Sequence, residues 1–387
     1  MGGNRSFFVS WIVALVLATV SCGESPKGIA SVPVILVSDL YYPAQDIGDN
    51  VDLVTPFALE QLDLKAIILD ITRSHLIEDG ILRDPGFIPV RQLNYLFEKD
   101  VPCAAAPYDQ LSSPDDKKEN APAFQQKGIE LLLNTLDSSN RPVHIVSTGS
   151  LRPIAIALNR RPDLFRSDKI AAIHICAGSS SENYLEWNIA LDTLAAARVL
   201  RSGATIYLYP CATAEGPFDK GEYNSFWALD DLGWILSMDD NHIRNYLAYN
   251  ILRKNNRPDF LSYLDKDLSE EDILALQAFR SDRFYGSGGA HYVWETAVWM
   301  QVASLVLVER DGVGMIVRKD NVLSGDKVFQ EGMIPVLLDV KDNGLFHFKQ
   351  CEGDSSIRLY YRTCPQKQQE LLNSAFPLWY NSFHSSL

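Results

Sequence analysis

From Val32 to Val37 the chain reads Val-Pro-Val-Ile-Leu-Val without a polar break, and similar apolar runs recur along its first half. They are "LKAIILDIT" (64–72), "PVHIVSTGS" (142–150), "IAAIHICAGSS" (170–180) and "ATIYLYPCAT" (204–213). Between them lie stretches with helical spacing: "VDLVTPFALEQL" (51–62), "LRPIAIALNRRPDLF" (151–165) and "EWNIALDTLAAARVLRSG" (186–203). Strands that are apolar throughout, rather than on alternate positions, are buried on both faces. Alternation with helices then predicts an α/β, Rossmann-like fold: a mostly parallel central sheet with helices on both faces. Residues 217–280 change to a helical, aromatic-rich pattern, which reads as a helical insertion. The glycine-rich "GSGGA" (286–290) runs into a predicted buried helix, and "GMIPVLLDVKDNGLFHFKQ" (332–350) predicts a small C-terminal β part before a closing helix.

The first residues follow a different logic. Arg5 precedes an apolar stretch from Phe7 to Val20, then small residues and Cys22. That stretch is shorter than the roughly 20 residues a spanning helix needs, so 1–22 reads as a signal peptide. Its ending, "LATVSC", is similar to a lipobox, which would make Cys22 a lipid-bearing N-terminus and place the protein outside the cytoplasm, anchored to a membrane. Residues 23–30 form a tether, and 31–387 one large domain.

A net charge of −14 without a basic stripe excludes nucleic acid as a partner, because phosphate neutralisation needs clustered Lys and Arg. Cys103, Cys176, Cys211, Cys351 and Cys364 lack the close pairing of a zinc site. Cys351 and Cys364 flank a possible hairpin, and either a disulfide or two separate thiols would suit them.

Polar clusters follow the apolar runs: an acidic loop after Val37, "STGS" (147–150), "AGSSSENYLEWN" (177–188) and "CATAEG" (211–216). In a parallel sheet these meet at the carboxyl rim, where ligands bind. The acidic loop holds Asp39, Asp46, Asp49 and Asp52. Such a cluster implies a bound cation, a shared proton or simple solvation.

Three segments in this order, "SDLYYPAQDIGDNVD", "TGSLRP" and "EWNIALDTLAA", together resemble the inosine–uridine-type nucleoside hydrolase family. Its motifs are D-x-D-x-G-x-D-D, T-G-x-L-T-N and E-F-N-x-x-x-D-P-x-A-A. The third motif is the best kept. The first is lengthened by "LYYPAQ" and lacks the adjacent Asp pair, and Pro153 stands where the second has asparagine. The resemblance implies calcium-dependent hydrolysis of an N-ribosidic bond in a small nucleoside or ribosyl compound, by a protein that tends to form homo-oligomers. It implies Asp39 or Asp46 as the base that activates water, and calcium held by Asp49, by Asp39 or Asp46, by the Thr148 carbonyl and by Glu295. Glu295 replaces the family's aspartate. Glu186 and Asn188 would meet ribose hydroxyls from the sheet rim, with Asn183 as a further contact. Asp192 would open the next helix, and Asp52 either ligates or caps. His291 is the candidate to protonate the leaving base. Trp227, Tyr223 and Phe226 would either stack on the base or belong to the core. The departures from the motifs keep a second reading open, a sugar- or nucleoside-binding protein without catalysis.

Overall fold

The computed structural model describes residues 30–43, 48–78, 81–252, 259–279 and 291–387. The expected signal peptide, tether and lipid-bearing Cys22 lie outside the described residues up to Ala30, and Asp46 lies outside them too. Among the described residues, no helix is long and apolar enough to cross a membrane.

Ser31–Leu387 form one compact unit around a nine-stranded sheet. Its strands are β1 (Val32–Ser38), β2 (Leu62–Leu69), β3 (Cys103–Ala105), β4 (Val143–Ser147), β5 (Ile170–Cys176), β6 (Ile206–Tyr209), β7 (Glu331–Val340), β8 (Phe346–Gln350) and β9 (Ile357–Arg362). The spatial order is β8-β7-β9-β6-β5-β4-β1-β2-β3. Neighbours from β9 to β3 run parallel, and β7 is antiparallel to both β9 and β8.

The unbroken apolar strands have the cause their sequence suggests. Val34 and Leu36 of β1 face one buried core, and Ile35 and Val37 face another on the opposite side. In β2, Ile67 and Leu69 join the first core while Ala66 and Ile68 join the second. Each strand separates two cores, so neither face can be polar.

Three expectations need adjustment. The C-terminal strands form no separate part: β9 pairs with β6, and β7 and β8 extend the main sheet beyond it. The buried helix after the glycine-rich segment is short, Thr296–Val302, and is preceded by a strand, His291–Val293, that pairs with Trp227–Leu229. Cys351 and Cys364 are free thiols, since the strands they follow, β8 and β9, lie on opposite sides of β7. The helical insertion is present as Asn241–Ile251, Phe260–Leu264 and Glu270–Ala278, and its Ile243, Tyr246, Leu247, Leu264 and Leu276 complete the first core.

Candidate active site

After β1 the chain adds β2 and β3 on one side, then returns to place β4 on the other. Strand order therefore reverses between β1 and β4, and such a reversal opens a crevice at the carboxyl ends. Asp39 leaves β1 there, and Thr148 leaves β4 beside it, its N–H donating to the Val37 carbonyl at 2.9 Å. Gly149 crosses directly over Asp39: a Cβ on it would stand 2.8 Å from both the Asp39 Cβ and its nitrogen. Glycine is required at this point by contact. Burial raises the Asp39 carboxyl well above the usual range, and the charges of Asp70, Glu295 and Glu186 add to the effect.

Beside Asp39 lies a cavity of about 10 Å³, close to the size of one water, lined by Ser38, Asp49, Asp52, Thr148, Glu295 and Trp299 among others. Asp49 and Asp52 come from the helix Gly48–Asp52. Asp52 does not cap the next helix, where Leu53 holds the cap position without a side-chain bond, and it faces this cavity instead. Glu295 stands at the start of Thr296–Val302 and accepts the Trp294 N–H at 3.1 Å. The lining offers the oxygen donors that hard cations take. Yet among the described residues no three His, Cys, Asp or Glu side chains are grouped closely enough to hold an ion. The donors share a void without forming a ligand shell, so no chemical step is routed through a metal here.

Glu186 and Asn188 reach the same crevice but are buried rather than spread over the rim. Glu186 is 4% exposed. Its carboxylate caps the helix Trp187–Leu191, accepting the N–H groups of Asn188 (3.0 Å) and Ile189 (3.3 Å), and also that of Gly178 (2.7 Å). Burial nevertheless dominates and pushes its pKa up to about 7. The Asn188 amide donates to the carbonyls of Thr148 (3.2 Å) and Cys176 (2.9 Å), tying together the ends of β4 and β5. Asp192 caps Thr193–Leu200, as its sequence position suggests, accepting the Ala195 N–H at 3.0 Å.

The sequence reading missed a buried ion pair next to Asp39. Asp70, at the end of β2, accepts from Arg152 at 2.7 Å and from the Ser150 hydroxyl at 2.5 Å. Arg152 and Asp70 are both fully buried. Burial still raises Asp70 to about 6, against the pull of Arg152 and Ser150. The available signal was the exchange of the family's T-N for "RP" in "TGSLRP": an arginine opening an apolar helix needs a buried anion.

Other expectations are not met. His291 is 0% exposed, and burial lowers its pKa to about 3, so it is neutral and enclosed rather than poised at a site mouth. Neither of its ring nitrogens has a hydrogen-bond partner among the described residues. Asn183 is exposed on its loop, bonded through its N–H to Ser181. Trp227 and Phe226 are core residues, and Tyr223 packs on Phe348. The half-buried Trp294, whose indole N–H donates to the Cys211 carbonyl at 2.9 Å, is the aromatic residue adjoining Glu295.

Comparison with known proteins agrees with this placement. A family model described as inosine-uridine preferring nucleoside hydrolase matches residues 78–298, more than half of the chain. The pyrimidine-specific ribonucleoside hydrolase RihA of Escherichia coli O127:H6 is 30% identical over 198 residues, covering 46% of this chain and 60% of the relative. Its counterpart from Salmonella schwarzengrund is 31% identical over a segment of the same length. The match thus spans about 60% of the length of these curated relatives. A plant nucleoside hydrolase, PpNRh1, shares the fold with a TM-score of 0.51 at 13% identity, over 89% of this chain and 98% of its own. With its motifs gathered at the sheet's switch point, the chain belongs to the inosine–uridine-preferring nucleoside hydrolase family.

Proposed function

We propose that the protein hydrolyses N-ribosidic bonds of nucleosides or related ribosyl compounds. The observation that carries this reading is the meeting of Asp39, Asp49, Asp52, Thr148 and Glu295 at one switch point, beside a cavity of one-water size. In such a hydrolysis the C1′–N bond breaks, water bonds to C1′, a carboxylate accepts the water's proton and the leaving nitrogen gains one. Asp39 is the base in this reading. Its proton affinity, raised by burial and by Asp70, suits that task better than that of an ordinary exposed aspartate. Glu186 and Asn188 lie beside it, where a ribose would be held.

Calcium belongs to the same proposal. Asp39, Asp49, Asp52, Glu295 and the Thr148 carbonyl are the oxygens that would take it, and a bound cation would relieve the repulsion among these acids. Ribose release from uridine and inosine, measured with added calcium and with a chelator, tests the activity. Titration calorimetry with calcium alone tests the ion separately. Neither ribose release nor calcium uptake by folded protein would overturn the reading.

A second reading, binding without turnover, is favoured by Glu186, whose two oxygens already accept three backbone N–H groups. Nucleoside affinity without ribose release would select it. Export and a lipid at Cys22 complete the proposal. Fatty-acid labelling should be lost in Cys22→Ala, and unchanged labelling and membrane partition would rule out that anchor.

A further inference from the structure

The loops that carry the site acids also carry a row of rings. Tyr41 lies two residues beyond Asp39, His75 five beyond Asp70, and Trp187 directly after Glu186. His75 stacks on Tyr41 with centroids 5.9 Å apart and planes 13° apart, and Trp187 stacks on His75 at 5.3 Å and 29°. Arg83 closes the inner end, its guanidinium 5.0 Å from the Tyr41 ring centroid. Exposure rises along the row, from buried Tyr41 through half-buried His75 to Trp187, which is 55% exposed. Trp187 is thus a large apolar ring left half in water between two buried site residues, Glu186 and Asn188. A polar residue would serve the first turn of that helix equally well, and the imidazole behind holds the indole in a fixed plane.

We propose that Trp187, backed by His75 and Tyr41, is the platform on which the planar nitrogen heterocycle of a nucleoside-type ligand stacks. This rests on the ribosyl site described above and names what selects its ligand. The occupant is a flat ring rather than a protein surface, because the row is one ring wide and its planes are nearly parallel. Another aromatic ring extends it in the offset stacking such rings prefer. Base stacking of this kind is tolerant of sequence and ring type, since every base has a π face. The platform therefore favours an aromatic aglycone over a bare sugar, without choosing between pyrimidine and purine.

The test compares D-ribose, uridine and inosine as probes, by calorimetry and by indole fluorescence, on the full chain and on Trp187→Ala, Trp187→Leu and Trp187→Phe. Trp187→Ala should weaken both nucleosides by about tenfold while leaving ribose unchanged, and Trp187→Phe should recover most of the loss. Trp187→Leu keeps apolar bulk without a π face and should resemble Trp187→Ala. Melting should hold in all three variants, because the indole is largely outside the core. An equal loss for ribose and nucleosides, or no loss for nucleosides, overturns the platform. So does a changed oligomeric state with unchanged binding, which would make the row an interface between copies. A wild type that binds nucleosides through Trp187 but releases no ribose upholds the platform and defeats the hydrolase reading. One that releases ribose regardless of Trp187 does the reverse, and one that binds no nucleoside defeats both.

Discussion

At the residue scale, the site depends on contacts that leave no room for substitution. Gly149 touches Asp39 so closely that Gly149→Ala must move either the β4 loop or the proposed base. Turnover of uridine should fall by about 100-fold or more, since displacements near 1 Å can cost that much. Steady-state kinetics with a parallel melting curve would show it, and unchanged kcat/KM would mean that Asp39 is not in the reacting position. Glu186→Ala should cost about 1–2 kcal/mol in urea unfolding, because it removes a helix cap and strands the Gly178 N–H. Glu186→Gln retains an acceptor and should lose less. Asp39, Glu186, Asn188 and Glu295 were legible because their neighbours keep recognisable spacing. The roles of Glu186 and Asn188 as cap and tie were not, because both depend on partners, Gly178, Thr148 and Cys176, brought close only by the sheet. His291 misled because its glycine-rich neighbourhood suggests a surface loop, whereas pairing with Leu229 draws it into a strand and the core.

At the scale of elements, adjacent strands carry polar groups that a one-dimensional pattern cannot pair. The alternation of apolar runs and helices foretold β1, β2, β4, β5 and β6, but not that histidines on β4 and β5 would face each other. His144 Nδ1 lies 2.9 Å from His174 Nε2, and His174 Nδ1 lies 3.2 Å from the Tyr209 hydroxyl on β6. Burial lowers both histidines, and His144 further lowers His174. The unfolded chain binds these protons near pH 6.5 and the folded chain does not, so the pair contributes stability that is lost as pH falls below about 6.5. The raised acids Glu186 (about 7) and Asp70 (about 6) act in the opposite direction, favouring the fold as pH falls from 7 toward 4. A whole-protein pH profile would mix the two, so the difference between wild type and His174→Phe is the useful quantity. Urea unfolding at pH 7.5 and pH 5 should show the variant's deficit shrinking at the lower pH. A deficit independent of pH would mean the histidines are not held neutral. The Asp70–Arg152 pair has the same origin in neighbouring elements. Asp70→Ala should cost about 3–5 kcal/mol because it leaves a buried guanidinium unpaired, measurable as a lowered urea midpoint.

At the scale of the whole molecule, the last helix returns to the beginning of the chain and closes the site from beneath. Pro365–Asn381 presents Phe376, Trp379 and Tyr380 to the first core, with Phe376 and Tyr380 stacked at 4.3 Å. The Tyr380 hydroxyl donates to the Val51 carbonyl at 2.9 Å and lies 2.9 Å from the Thr55 hydroxyl, a residue 325 positions earlier. Since Tyr380 donates to Val51, Thr55 donates to Tyr380, and the phenol ties together the short helices whose first carries Asp49 and Asp52. The sequence showed a closing helix but not where it docks, because nothing local records a partner that distant. Tyr380→Phe keeps the ring packing and removes only the hydroxyl, leaving the Val51 carbonyl and the Thr55 hydroxyl without it in a buried setting. That should cost about 1–3 kcal/mol in urea unfolding. If the tie positions the acids, calcium affinity measured by calorimetry should weaken as well, while Ser382→Ala at the end of the same helix, whose hydroxyl bonds only locally to Trp379, leaves it unchanged. Stability lost with calcium affinity intact would separate the closing helix from the site and confine its role to the core.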